Sequence, residues 1–340
     1  MITVTLLCFS GRDNYVWHYN NISQIKKLMH IFYANIEGVN VKQSEGELGF
    51  DGFLVELTGP EQEVAQEYNL ESTFYVCDGF APSLEKSKAI GLNLLRGFKE
   101  NAELREIIIQ TIKEMKPKQA HISESNVPDE ELDDEPDALF YSVQEDNKLH
   151  DTKFEDLVSI DYRSPIDGLP YPVQVALFNK SFWNNNSRRL VYDNCYSYAC
   201  NYAIGAINKK RPRPGRYAGK TLKCNQSSVI EAALADGLVE LDKYDYKHEA
   251  AHKPNYIVAL LTTPDSPSGK CEGFWDYHWY RLIVGSSKRH PRIWGHKIGR
   301  QTARKRDQSG KIIRDICLAD HFRYNQFGGY FVVNGDVKIK

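Results

Sequence analysis

Hydrophobic and polar positions change period several times along the chain, and each change marks an element. The opening run ITVTLLCF, β-branched and closed by the polar turn at 10–14, predicts a first strand. Ile22, Ile25, Leu28, Met29 and Phe32 recur at helical spacing and predict a helix over 22–34. The runs GFLVEL and STFYVCDGF predict two further strands. Stretches 84–99 and 102–116, the second carrying Leu104, Ile107, Ile108 and Ile112, predict helices. The pattern then lapses: residues 120–138 hold eight acidic residues and two prolines with few large apolar side chains, which predicts a solvated linker.

From about residue 153 a second pattern begins with the proline-rich extended run SPIDGLPYPVQVALF and an asparagine-rich turn, NNNSRRLVYDN. The run CYSYACNYAIGAI predicts a helix over 195–207, followed by the basic loop NKKRPRPGR. A second helix over 227–238 carries a capping box from Ser228 to Glu231 and stops at Gly237. Strands are predicted at 255–262, 277–284, 291–297 and 329–333. Helices first and an antiparallel sheet afterwards is an α+β order. The expected division is a small α+β accessory or targeting domain over 1–118, an acidic linker over 119–150 and a second domain over 151–340.

At 340 residues the chain has room for two cores. The net charge of −2 conceals a split: residues 1–150 carry 13 Lys/Arg against 26 Asp/Glu, and the remainder 30 against 19. The halves stand at −13 and +11, so the basic half attracts an acidic partner or polymer, or the two halves attract each other. The first residues lack the basic region and cleavage site of a signal peptide, and no run approaches a membrane span. Seven scattered cysteines, an odd number without C-x-x-C pairs, favour reduced thiols and a cytoplasmic setting. The C-x4-C spacing of Cys195 and Cys200 is poor support for zinc, and no metal or organic cofactor is expected. PGRYAGKT places Pro214 where a phosphate-binding loop needs its first glycine. The basic stretches come without a nucleic-acid recognition fold, so they read as solvated loops or as steering for an acidic substrate.

Candidate chemistry centres on Cys195. It stands at a predicted helix start, with Asp193 or Asn194 as N-cap, where the helix dipole favours a thiolate and backbone N–H groups stabilise an oxyanion. A lone cysteine there is commonly a buried, inert residue. The histidines change that reading, because thiol catalysis needs an imidazole base and a group to orient it. In the strand pattern Asp276, His278 and Tyr280 share one face, and His296 follows at the end of the next strand, 18 residues on.

This order resembles the papain-like cysteine hydrolases, with a Cys at a helix start, a His on a strand and a polar orienting residue on the next. It is similar to the NlpC-like and CHAP-like cell-wall peptidases and amidases. NCYSYACN, YHWYR and W-x-H-K-x-G look like motifs of a set of bacterial proteins without an assigned activity. The resemblance covers roughly 180–335 and implies a papain-like C-terminal domain, N-terminal helices packed on an antiparallel sheet. It implies Cys195 as nucleophile, His278 as general base and His296 as orienting residue. The oxyanion glutamine of many papain-like enzymes and the D-C-S-G run of NlpC-like enzymes are both missing, so Asn194, Tyr192 or a backbone amide takes the oxyanion role. Tyr198 is a site-lining candidate with core packing as its default. Arg189, Arg216 and Lys297 are candidates for steering substrate.

The expected activity is a thiol hydrolase acting on an amide or peptide bond, with cell-wall peptide as the substrate class that the resemblance implies. A toxin or lytic enzyme exported by a route independent of a signal peptide fits it, the first domain meeting a delivery or immunity protein. An intracellular cysteine protease or acyltransferase of the same fold, and a catalytically inactive interaction protein, remain open alternatives.

Overall fold

The computed structural model describes residues 1–9, 11–41, 50–67, 69–117, 178–243, 256–265, 275–284 and 292–340, and the backbone of 157–163 and 170–176. The expected linker over 119–150 and the turn carrying His290 lie outside the described residues. These residues fall into two compact units. The first holds 1–9 and 13–117, and the second holds Gly11, Arg12 and everything described from 157 onward.

In the first unit, strands β1 (Ile2–Leu6), β2 (Val16–Tyr19), β3 (Phe53–Leu57) and β4 (Thr73–Val76) form an antiparallel sheet in the order β2-β1-β3-β4. Ile2, Val4 and Leu6 alternate into the core, and register pairs Val4 with both Trp17 and Val55. Helix α1 (Ile22–Ala34) starts where the Asn21 side chain accepts from the N–H groups of Ser23 and Gln24. It buries Ile25, Leu28, Met29 and Phe32, the stripe that its spacing predicts. Helices α2 (Pro60–Glu67), α3 (Leu84–Leu94) and α4 (Ala102–Glu114) complete the unit. The predicted helix over 84–99 ends sooner, in a 3-10 turn at Leu95–Gly97.

The second unit is a larger sheet. Strands β5 (Leu157–Arg163) and β6 (Pro170–Ala176) form a hairpin. The main path runs through β7 (Val239–Glu240), β8 (Tyr256–Thr262), β9 (Tyr277–Val284), β10 (Arg292–Lys297), β11 (Ala303–Arg304) and β12 (Gln326–Val333) in the order β11-β10-β9-β8-β12-β7. Pairing along that path is antiparallel, and only the β6–β9 contact is parallel. The described fold is thus mixed α+β with antiparallel sheets.

Its helices are shorter and more broken than the sequence pattern predicts. A short helix, α5 (Lys180–Asn184), capped by Asn179, leads into the asparagine-rich stretch, which itself holds a helix, α6 (Ser187–Tyr192), capped by Asn186. The single helix expected over 195–207 is α7 (Cys195–Ala199) and α8 (Ile204–Asn208), parted where Asn201 turns left-handed at φ 50°. Helix α9 (Gln226–Ala235) is capped by Asn225, whose side chain accepts from the Ser228 N–H, and not by the Ser228–Glu231 box. Gly237, at φ 102°, ends it as expected. Among the described residues no helix is long and apolar enough to cross a membrane.

The cysteines depart from the all-thiol expectation. Cys224 is disulfide-bonded, while Cys8, Cys77, Cys195, Cys200 and Cys317 are not joined in disulfides.

Candidate functional site

Helix α7 packs on β9 and β10, and Cys195 is its first residue. The Asn194 side-chain oxygen accepts from the Tyr196 and Ser197 N–H groups, and the Ser197 hydroxyl answers the Asn194 N–H, closing a capping box. Both Asn194 amide hydrogens are also committed, one to Gly11 O at 3.1 Å and one to Pro212 O at 2.8 Å. This corrects the oxyanion role expected of the Asn194 side chain: every donor it owns holds the turn in place. Cys195 is wholly buried, and its Sγ donates to Tyr277 O at 3.9 Å, at the first residue of β9 and next in the chain to His278. The sulfur packs with Tyr277 and Trp279, the β9 face opposite His278.

The two histidines meet. His296 is in register with Tyr280, two positions along from His278 on one face. His278 Nε2 lies 2.7 Å from His296 Nδ1, and His296 Nε2 lies 2.9 Å from Arg306 O. A carbonyl only accepts, so the neutral His296 carries its proton on Nε2 and offers a lone pair on Nδ1. His278 therefore donates from Nε2, and its Nδ1 is the lone-pair nitrogen. The Tyr280 ring stacks on His296 at 4.8 Å, and its hydroxyl donates to His321 Nδ1 at 2.8 Å. His321 Nε2 is held in turn by Ile316 O. Burial pushes His278 well below the ordinary histidine range, helped by repulsion from His296, His321 and Arg304. Burial likewise lowers His296 and His321.

The strand end beside His278 is equally well bonded. The Asp276 carboxylate accepts from the Gly11 and Arg12 N–H groups and from the Tyr324 hydroxyl at 2.7 Å, and the Tyr277 hydroxyl donates to Gly11 O at 2.8 Å. Sequence reasoning placed Asp276 on the His278 face but gave it no partner, and it missed Tyr324, His321 and the Arg306 carbonyl. Tyr280 was legible only through its strand alternation.

Five other expected site residues fall elsewhere. Lys297 is fully buried, donating from Nζ to Leu190 O at 3.0 Å, Asp193 O at 2.6 Å and Gly299 O at 2.7 Å. It does not steer substrate from the surface; it ties the chain before Cys195 to the end of β10. Burial lowers Lys297 to about 7 against the pull of Asp193, and raises Asp193 to about 7 against the pull of Lys297. Tyr198 is a core residue, edge-on to Trp183 at 5.2 Å, and does not line a site. The Arg189 guanidinium covers the Phe182 ring at 3.7 Å, and Arg216 donates to Arg211 O at 2.6 Å. Tyr192 is half-buried at the end of α6. Among the described residues no group of three His, Cys, Asp or Glu side chains is placed to hold a metal ion.

Fold and site together define an α+β protein whose second unit carries a buried, tautomer-fixed histidine pair on one face of β9 and, packed with Tyr277 and Trp279 of the other face, a cysteine at a helix start. No family model and no solved structure matches the chain. It is 32% identical to insoluble matrix shell protein 1 of Ruditapes philippinarum over 148 residues, which are 43% of this chain and 83% of that protein. The chain belongs to the same family as that shell matrix protein.

Proposed function

We propose that the second unit is a papain-like thiol hydrolase, a reading carried by the ordered chain from His278 through His296 to the Arg306 carbonyl. It stands on the strand whose first carbonyl receives the Cys195 sulfur. In the proposed reaction Cys195 Sγ attacks a carbonyl carbon and its proton passes to His278 Nδ1. The tetrahedral adduct expels the amine, which takes that proton from His278 and leaves a thioester. Water then attacks the thioester with His278 as base, releasing the acid and restoring the thiol. His296 orients the base and shares its developing charge. Because burial lowers His278, the resting pair is thiol and neutral imidazole, and proton transfer accompanies attack. A peptide or cell-wall peptide is the proposed substrate class. The test is cleavage of purified peptidoglycan and of unfolded protein by the full chain, by Cys195→Ala and by His278→Ala. Cleavage lost by about a thousandfold or more in both variants is expected. Cleavage equal in all three, or absent from the unmodified chain on both substrates, sinks the reading.

A second reading has its own support. Cys195, His278 and His296 are all 0% exposed, and the family includes a shell matrix protein. The disulfide at Cys224 fits an oxidising compartment. Under that reading the protein is a non-catalytic matrix component and the histidine pair is structural. Iodoacetamide at neutral pH separates the two: a catalytic Cys195 is alkylated faster than Cys77, whose thiol burial pushes up to about 12.

A further inference from the structure

On the β9 face opposite His278, a charge is buried without a counter-charge. Arg281 is 0% exposed, and its Nη1 donates to Tyr198 O at 2.8 Å. Its Nε and Nη2 meet no well-aligned acceptor among the described residues. The guanidinium lies 4.2 Å from the centre of the Tyr198 ring and 6.0 Å from that of Trp183. Trp183 Nε1 is itself buried with no hydrogen-bond partner among the described residues, and the buried Tyr198 hydroxyl lies near the guanidinium. Gly295 stands directly opposite Arg281 in register, and a Cβ there would fall 2.4 Å from Tyr198 Oη, so the hydroxyl is seated against the bare strand beside Arg281. Ile283, Ile293 and Ala303 supply apolar walls.

Two side chains thus place three nitrogens that only donate, with no well-aligned acceptor among the described residues, in one apolar layer beside the Tyr198 hydroxyl. An aromatic face offsets part of a buried guanidinium's lost hydration, but it accepts no proton from Nε or Nη2. An uncompensated buried charge is costly, whereas the same charge with an anion and full hydrogen bonding is not. We propose that this cluster is an internal site for one small monovalent anion of halide size. Arg281 Nε and Nη2 hold the anion, with Tyr198 Oη and Trp183 Nε1 as additional donors. One positive charge calls for one negative, and the aliphatic walls give a larger oxyanion no further partners. The site is independent of the proposed hydrolase chemistry.

The test grows crystals of the full chain in bromide and reads anomalous scattering, and it melts the protein in chloride against gluconate at constant ionic strength. A bromide within hydrogen-bond distance of the Arg281 guanidinium is expected. The melting temperature should rise with the logarithm of chloride concentration above a half-occupancy midpoint, by about 5–10 °C at a hundredfold excess over that midpoint. Arg281→Met, which keeps the bulk and removes the charge, should abolish the dependence, and Tyr198→Phe should move the midpoint about tenfold higher. An ordered water in place of bromide, or the same chloride response in Arg281→Met, overturns the proposal. If Arg281→Met does not fold, bromide occupancy in the unmodified chain decides it.

Discussion

His278, His296 and His321 are each buried as neutral imidazoles, and that state has a measurable consequence for stability. In the unfolded chain each takes a proton near pH 6.5. Between that value and their lower folded values the unfolded state therefore binds up to three more protons. Stability is complete above about pH 6.5 and falls as the pH drops. Asp193 works the other way: its folded value of about 7 lies above its unfolded one, so it adds stability below pH 7 and loses it as pH rises through 7. Burial of the three rings predicts that stability falls as the pH drops below about 6.5, less steeply than the histidines alone would give because Asp193 opposes them, read from urea midpoints. A flat profile there would mean that the three rings are hydrated. Lys297 gives a second prediction at this scale. Lys297→Met leaves three buried carbonyls without their shared donor, and is expected to cost about 3 kcal/mol or more. A surface steering residue would leave the urea midpoint unchanged. The sequence placed Cys195 at a helix start and put the two histidines on neighbouring strands. It could not show that Lys297 turns inward, because a lysine in a basic stretch reads as solvated, nor that His321 joins from a segment without periodicity.

Element boundaries follow from side-chain caps and backbone sign, and these were only partly legible. Helix α1 was readable because four apolar residues repeat at one spacing and Asn21 caps them. The α7–α8 break was not, because Tyr196, Tyr198 and Tyr202 prolong an aromatic pattern across Asn201, whose left-handed φ no periodicity announces. Helix α6 was read as a turn because its cap, Asn186, is one of the very asparagines that mark turns. The seating of α7 on the sheet depends on one absent side chain. At Gly295 an added Cβ would stand 2.4 Å from Tyr198 Oη and 2.9 Å from Ile283 Cδ1. Gly295→Ala is therefore expected to cost about 1–3 kcal/mol through overpacking. Most of that cost should vanish in the Tyr198→Phe background, where the nearer obstructing atom is gone, as a double-mutant cycle by thermal melting would show. Additive costs would place the strain elsewhere.

At the scale of the whole molecule, composition divides the chain at an acidic stretch, yet the described units do not follow sequence order. Gly11 and Arg12, between β1 and β2 of the first unit, belong by their contacts to the second. Their N–H groups donate to the Asp276 carboxylate, Gly11 O accepts from Asn194 and Tyr277, and Arg12 O accepts from Arg211. No reading of local pattern reveals this, because the partners lie more than 180 residues away. A fragment of residues 151–340 therefore retains the sheet, α7 and the histidine pair but strips Asp276 of its backbone donors. In the intact chain that carboxylate is 0% exposed, with Tyr324 beside it. Each hydrogen bond to a charged group is worth about 1.5–3 kcal/mol, so the fragment is expected to melt roughly 6–12 °C below the second unit of the intact chain. Replacing Asp276 by Asn separates this cause from general truncation damage. In the intact chain the variant should lower the melting temperature by a comparable amount, because an amide accepts those N–H bonds without the charge that strengthens them. In the fragment, where the donors are already missing, it should cost little or even stabilise by removing an undersolvated charge. Equal losses in both backgrounds would show that Gly11 and Arg12 contribute nothing to the strand that carries His278.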